Sequence, residues 1–471
     1  MIKRWIQPRK ILGISLALFW GGMQAQTPSK ADSGKLVLNL QQAVEYALKN
    51  QISIKNALLN EDIAQERIGQ IASAGLPQIN GSLQFSGADP LQRMFFDPTN
   101  PFIGAFLPPG VNKNEKVIGI PNFFQLANTG NASLTATQLL YSNTYWIGLK
   151  AANAYKDFSR KQTEQTRLQV VEDVSKAYFL VLINAERLSL IRKNIARIDS
   201  LLKQTKLLQK NGMVEKTDVS RLQVTFNNLV TEEKNFTNLQ HLSMQALKFQ
   251  IGATGQTDLT LTEKINDFKV EDPGDKGGQI GNYANRIEYS LLTSAQHLQE
   301  LDLKSKWSSL WPTLAAFANL GEFSQSPKFD YFSSQNLWYN FGMFGLTLNI
   351  PIFDGFGNKH RIDEAKLNLK ITKNNIANAE RGIDMQVEAA ITTLRNSLAS
   401  LQSQAENIDL AQEVAHSSQL KFTQGVGSSL EVTSAETALL EAQTNYYTSL
   451  YTALIAKIDY QKALGTLNSK K

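Results

Sequence analysis

The sequence predicts an α+β membrane protein, a trimeric 12-stranded β-barrel with four strands per chain that continues into a long α-helical coiled-coil barrel. Three observations predict it. First, the chain repeats at a spacing of about 213 residues, an internal structural repeat carried by two heptad seams. The first seam runs Val170, Val174, Ala177, Val181 onward to Leu202, and the second Ile383, Val387, Ala390, Leu394 onward to Ala415. Steps of four and three residues alternate in both, the pattern that makes helices supercoil. Second, each half carries two stretches that alternate apolar and small polar residues, the pattern of a membrane-spanning β-strand. Third, the helix lengths match in pairs. At 1.5 Å per residue, Tyr145–Lys210 and His360–Phe422 are each about 100 Å long, and the shorter helices laid end to end give nearly the same length.

Residues 1–25 read as a signal peptide: Lys3, Arg4, Arg9 and Lys10 precede the apolar run Ile11–Trp20 and a small-residue site at Ala25. Ten apolar residues are half of the roughly 20 that a spanning helix needs. Removing four basic and no acidic residues takes the net charge from +6 to +2, so the basicity is mostly a targeting feature and not a nucleic-acid footprint. The 471 residues contain no cysteine, which excludes disulfides, thiolate metal sites and a lipidated cysteine. The mature sequence also lacks a run of 18 apolar residues, so strands are the element by which it can enter a membrane. Export without these devices points to the periplasm and the bacterial outer membrane.

The first repeat, 26–251, opens with a helix over Asn39–Ala74 that has Ala43, Ala47, Ile54, Leu58 and Ile63 on its apolar side. Strands follow near 77–87 and 131–141, then a long helix over 145–210 and a helix over 217–250. Between the strands lies an insert, 89–128, with six prolines and Phe95, Phe96, Phe102, Phe106, Phe123 and Phe124. It reads either as an irregular surface loop or as a lid over the barrel mouth. A Gly- and Pro-rich segment, 252–281, joins the halves and is expected to pack around the helices near mid-height. The second repeat, 282–467, has a helix over Tyr283–Leu310, strands near 312–323 and 341–353, a long helix over 360–422 and a helix over 430–465, before a 468–471 tail.

The last strand is the clearest. Phe344, Leu346, Leu348, Ile350 and Ile352 face one way, and Gly345, Thr347, Asn349 and Pro351 the other. The polar face carries no large core-forming residues on the clearest strands, and aromatics gather at strand ends (Tyr141, Trp311, Phe353; Phe323, Trp338, Tyr339), as at membrane interfaces. Four strands cannot close a barrel of useful bore, so oligomerisation is required, and three chains give twelve strands. The same strands argue against the main rival, a periplasmic coiled-coil adaptor or scaffold without a pore. A stand-alone porin is a third reading, but its barrel would dwarf its helices.

Catalytic chemistry has no foothold. His241, His297, His360 and His416 are spread along the helices without ligand spacing, and no phosphate loop, nucleophile elbow or carboxylate pair is present. No catalytic, cofactor or metal residues are expected.

Taken together, Leu76-Pro77, Trp311-Pro312, Asn285-Arg286-Ile287-Glu288 and Ile350-Pro351-Ile352-Phe353-Asp354-Gly355, with two glycine turns, resemble the TolC family of outer-membrane efflux proteins over Leu36–Leu467. The resemblance implies a homotrimeric outer-membrane channel that docks a periplasmic adaptor (membrane fusion) protein and an inner-membrane pump or exporter. The turns align in register, Gly212-Met213-Val214-Glu215-Lys216-Thr217-Asp218-Val219 against Gly425-Val426-Gly427-Ser428-Ser429-Leu430-Glu431-Val432. Structurally they are helical hairpin turns with glycine in the left-handed position. By resemblance they form the periplasmic tip, with Gly212, Met213, Val214, Asp218, Gly425, Val426, Gly427 and Leu430 at the adaptor contact. Glu431 falls where the family's acid lines the closed pore, although it also suits the helix dipole as a first-turn acid. Ser434 stands where a second acid is common, and Gly427 where the family often has a latch arginine. Asp218 is expected to cap or latch its turn rather than line the pore.

Overall fold

The computed structural model describes residues 35–100, 109–110, 112, 115–122, 124–272, 281–333 and 336–467. The expected signal segment 1–25, the 468–471 tail, Phe102, Phe106 and Phe123 of the insert, and Pro273, Gly274, Gly277 and Gly278 of the joining segment lie outside the described residues. In chain order the elements are β1 (Leu36–Leu38), α1 (Leu40–Asn50), α2 (Ile52–Ser73), β2 (Gln78–Gly87), β3 (Arg93–Phe96), β4 (Ile118–Pro121), β5 (Asn128–Tyr141), α3 (Asn143–Lys210), α4 (Lys216–Gln250), β6 (Leu259–Leu261), α5 (Ile287–Ser308), β7 (Thr313–Ser326), β8 (Tyr339–Asn349), α6 (Gly357–Thr423) and α7 (Ser429–Ala463).

The long helices α3 and α6 have 68 and 67 residues, and α4 and α7 have 35 each. Helix α3 packs against α4 and α2, and α6 packs against α7 and α5. The short helices meet at two matching junctions. Gly252, just past α4, has φ +73°, and a Cβ there would lie 2.9 Å from the Asn50 carbonyl carbon and oxygen. Gly465, just past α7, has φ +68°, and its Cβ would lie 2.5 Å from the Asn285 carbonyl oxygen. These contacts give the physical reason for two departures from the sequence reading. The helix expected unbroken over Asn39–Ala74 is interrupted at Gln51, whose φ −62° and ψ 131° are extended. The helix expected from Tyr283 begins instead at Ile287, after the extended Arg286. In both places the backbone must leave the helix to abut a glycine that ends another one.

The main core lies at mid-height. Strand β1 pairs in parallel with β6, and Ala43 and Ala47 of α1, Leu259 and Ile265 pack against Tyr178 and Phe179, near the middle of α3. The Phe179 ring meets Phe268 edge-on at 4.9 Å. Glu263 anchors this strap by accepting from Tyr178 Oη at 2.9 Å and from Leu40 N at 2.8 Å. Burial, and then the Glu263 carboxylate, push the Tyr178 phenol above its ordinary pKa.

Charged groups tie the two halves together. Glu172 of α3 accepts from Lys176 at 2.7 Å and from Lys462 of α7 at 2.6 Å, while Lys176 also reaches Asp459 at 2.8 Å. Burial acts to raise the Glu172 carboxyl, but the two lysines outweigh it and hold it below the usual glutamate value. Arg286 is buried. It donates to the Ala463 carbonyl at 2.8 Å, to Glu288 at 3.0 Å and to Gln386 at 3.0 Å. One arginine thus satisfies an orphan carbonyl at the end of α7 and fixes the start of α5, which accounts for its place in the Asn285–Glu288 motif.

The other end of the chain's long axis is a four-stranded antiparallel sheet of order β2-β5-β7-β8. Its register places Ile79, Ala136, Ala318 and Phe344 across one rung, with Gly81, Leu134, Leu320 and Gly342 on the next rung of the same face. That face is apolar through the middle of all four strands and is solvent-exposed in the single chain, Phe344 at 88%. The opposite face carries Asn80, Thr135 and Asn319, with Ser82 and Ser133 hydrogen-bonded at 2.8 Å. It is not free of large residues, as the sequence reading had it: Phe317, Phe323, Phe341 and Met343 lie on it as well, because the register pairs Phe317 with Gly345 and Phe341 with Gly321. Within the insert, β3 and β4 pair antiparallel, so it is not irregular throughout. Leaving β8, Gly355 (φ +67°) and Phe356 (φ +66°) turn the chain, and Asp354 Oδ2 accepts from Asn358 N at 2.6 Å to cap α6. The Asp354-Gly355 pair of the motif is therefore a strand-to-helix joint.

Candidate conduit: helical tip and strand edges

The tip is built by two closing turns. Gly212 has φ +74°, and Met213 N donates back to Leu208 O at 3.0 Å. Gly425 has φ +79°, and Val426 N donates to Lys421 O at 3.0 Å. Both are left-handed glycine terminators that satisfy the last helical carbonyls. The restarts differ. Ser428 Oγ accepts from Glu431 N at 3.2 Å, whereas Glu215 makes no side-chain cap bond. Asp218 sits in the first turn of α4, 3.5 Å from Arg221.

Leu201, Leu202 and Leu222 of the first hairpin bury against Phe422 and Val432 of the second, so the turns form one apolar unit. Val214 is half-buried. Met213 (72%), Val426 (76%) and Leu430 (48%) remain exposed. Gly427 has no room for a side chain: a Cβ would lie 2.9 Å from Lys421 Cβ and 3.0 Å from Phe422 N. An arginine there would require this turn to open, which is a physical reason for the departure from the family's latch.

Glu431 and Ser434 lie three residues apart on the exposed side of α7, while Val432, Ala435 and Leu439 bury the other side. Sequence reasoning missed a second acid nearby. Glu436 is buried, 2.6 Å from Arg197 Nε of α3, and its backbone carbonyl accepts from Asn194 at 3.3 Å. Asn194 and Arg197 flank the seam residues Ile195 and Ile198, and that polar interruption was the available signal. No group of three or more metal-ligating side chains occurs among the described residues. No described helix is long and apolar enough to cross a membrane.

The family model of outer membrane efflux proteins matches residues 43–253 and 293–466, which cover both hairpins and all four strands of the sheet and leave out β1 and the β6 segment of the mid-height core. The chain belongs to the outer membrane efflux protein family. It is similar to the outer membrane protein TolC of Salmonella enteritidis, with 23% identity over 99% of this chain and 88% of that protein. Among solved structures it resembles VceC of Vibrio cholerae (TM-score 0.66, 14% identity, 90% of this chain and 96% of that one). It also resembles the open-state MtrE channel of Neisseria gonorrhoeae (TM-score 0.69, 17% identity, 92% and 90%). An outer membrane efflux protein is an exit duct in the outer membrane. That membership replaces the alternative of a poreless periplasmic scaffold.

Proposed function

We propose that three copies of the chain close a twelve-stranded barrel through which solutes leave the cell, each copy contributing two hairpin units to a helical tunnel beneath it. The observation that supports this reading best is the sheet itself. Strands β2 and β8, of 10 and 11 residues, each have one edge without a strand partner among the described residues, and the sheet has one apolar face. Long bare edges invite pairing with another chain, and in lipid every backbone group must be paired. Pairing β8 of one copy with β2 of the next satisfies both requirements and turns Ser82, Ser133 and Asn80 toward a wet lumen.

At the other end, exposed Met213, Val426 and Leu430 supply an apolar contact for a periplasmic adaptor that links the duct to an inner-membrane pump. Glu431, with Ser434 one turn farther from the tip, narrows the bore. Three Glu431 carboxylates around the axis make a ring that attracts cations. The duct is passive, and its partners supply the energy. The two halves act as repeats, so the tip is pseudo-sixfold with Gly427 and Val214 breaking the symmetry.

In planar bilayers, hexaamminecobalt(III) added from the tip side should block the wild-type current. The Glu431→Gln substitution should weaken that block roughly tenfold or more, since charged rings set cation affinity in narrow pores. Equal block in both proteins would place the carboxylate off the pore.

A further inference from the structure

The inward face of the sheet divides lengthwise into two unlike stripes. On β2 and β5 its rungs are Gln78 with Thr137, Asn80 with Thr135, Ser82 with Ser133 and Gln84 with Asn131, all of them polar. On β7 and β8 the same rungs continue as Phe317 with Gly345, Asn319 with Met343, Gly321 with Phe341 and Phe323 with Tyr339. Each of these four rungs carries a large apolar or aromatic side chain, and rungs two residues apart are spaced about 6.8 Å, so the stripe runs roughly 20 Å along the strands.

We propose that Phe317, Phe323, Tyr339, Phe341 and Met343 form an aromatic track on the inner wall that holds flat aromatic solutes as they pass. This rests on the closed-barrel reading above and adds a substrate class to it. Two of the rings lie down on the wall. A Cβ at Gly321 would come within 2.8 Å of Phe341 Cε1 and Cζ, and one at Gly345 within 3.1 Å of Phe317 Cε1 and Cζ. Glycine at both positions lets a ring recline across the partner strand instead of projecting into the bore. Phe341 stays 37% exposed and Met343 56%, so the track is open on its inner side.

Lipid does not account for these side chains, because the other face already presents Phe344, Leu346 and Leu348 outward. Reclined rings offer offset stacking to a flat aromatic molecule, and a cationic one gains from the ring quadrupole as well. The adjoining Ser, Thr, Asn and Gln stripe can hydrogen-bond the polar substituents that such solutes carry. Closure by three chains repeats the two stripes three times around the wall.

The test uses ethidium, a flat aromatic cation, and tetraethylammonium, which has the same charge and no ring, added from the barrel side of the trimer in planar bilayers. Ethidium should interrupt the wild-type current, and Phe317→Leu/Phe341→Leu should shorten those interruptions about tenfold at unchanged conductance, leucine keeping the glycines covered while removing the stacking surface. If that double variant does not assemble, Tyr339→Leu, which covers no glycine, should shorten them by a smaller factor. Interruptions of equal length in wild type and variants, or equal interruption by tetraethylammonium, would remove the track and leave the channel standing. A wild-type and a Glu431→Gln protein that both fail to conduct would overturn the barrel on which the track depends.

Discussion

Phe344→Arg is expected to cost about 2–4 kcal/mol of folding free energy in lipid, while Thr347→Arg on the same strand costs close to zero. Phe344 is the middle residue of the 11-residue β8, and its rung, Ile79–Ala136–Ala318–Phe344, contains only apolar side chains. At that depth a guanidinium facing outward meets hydrocarbon with no water and no partner. Thr347 points the other way, between Gly345 and Asn349 and opposite Ala315, where a guanidinium stays hydrated in a water-filled lumen. The measurement is a urea titration of folding into lipid vesicles, read by protection from protease. Equal costs at the two positions would mean that the faces have been assigned the wrong way round, or that the sheet does not meet lipid at all.

Gly465→Ala is expected to destabilise the helical region by about 2–5 kcal/mol, summing a left-handed backbone strain of about 1–2 kcal/mol with an overpacking cost of about 1–3 kcal/mol. Its φ is +68°, and the new Cβ would lie 2.5 Å from a backbone oxygen that cannot swing aside. Two other glycines separate the contributions. Gly212 has φ +74° but nothing within 4 Å, so Gly212→Ala carries the strain alone, about 1–2 kcal/mol. Gly69 sits inside α2 with an ordinary φ and open space, so Gly69→Ala should stabilise by about 0.5–1 kcal/mol through helix propensity. Guanidinium unfolding followed by circular dichroism at the helix band ranks the three variants. A Gly465→Ala protein as stable as wild type would show that the α7–α5 junction is loose.

Much of this architecture is legible in the sequence because it is local. Alternation along Phe344–Leu348, the glycine terminators Gly212 and Gly425 and the four-three spacing from Val170 to Leu202 each encode their element within one continuous stretch, although the strand expected over 341–353 stops at Asn349, where Pro351 can donate no ladder bond. What escaped is set by parts of the chain far apart in sequence. Gln51 is an ordinary helix residue amid continuing periodicity (Ala47, Ile54), and it is Gly252 pressing on Asn50 that stops the helix there. The placement of Phe317 and Phe341 on the face of the sheet that carries Asn80 and Ser133 follows from register against Gly345 and Gly321, which composition does not reveal. The Arg197–Glu436 pair likewise depends on how two coiled hairpins are phased against each other. The tip residues Met213, Val426, Leu430 and Glu431 could be found from the turn motifs, but a single chain leaves them facing solvent, and their roles arise only in an assembly.

Assembly is therefore the central claim, and native mass spectrometry of the protein in lipid nanodiscs tests it most directly. Three chains per particle, with no stable smaller species, is the predicted result, because only then are the bare edges of β2 and β8 paired all the way round. A monomer or a dimer as the dominant species would contradict it.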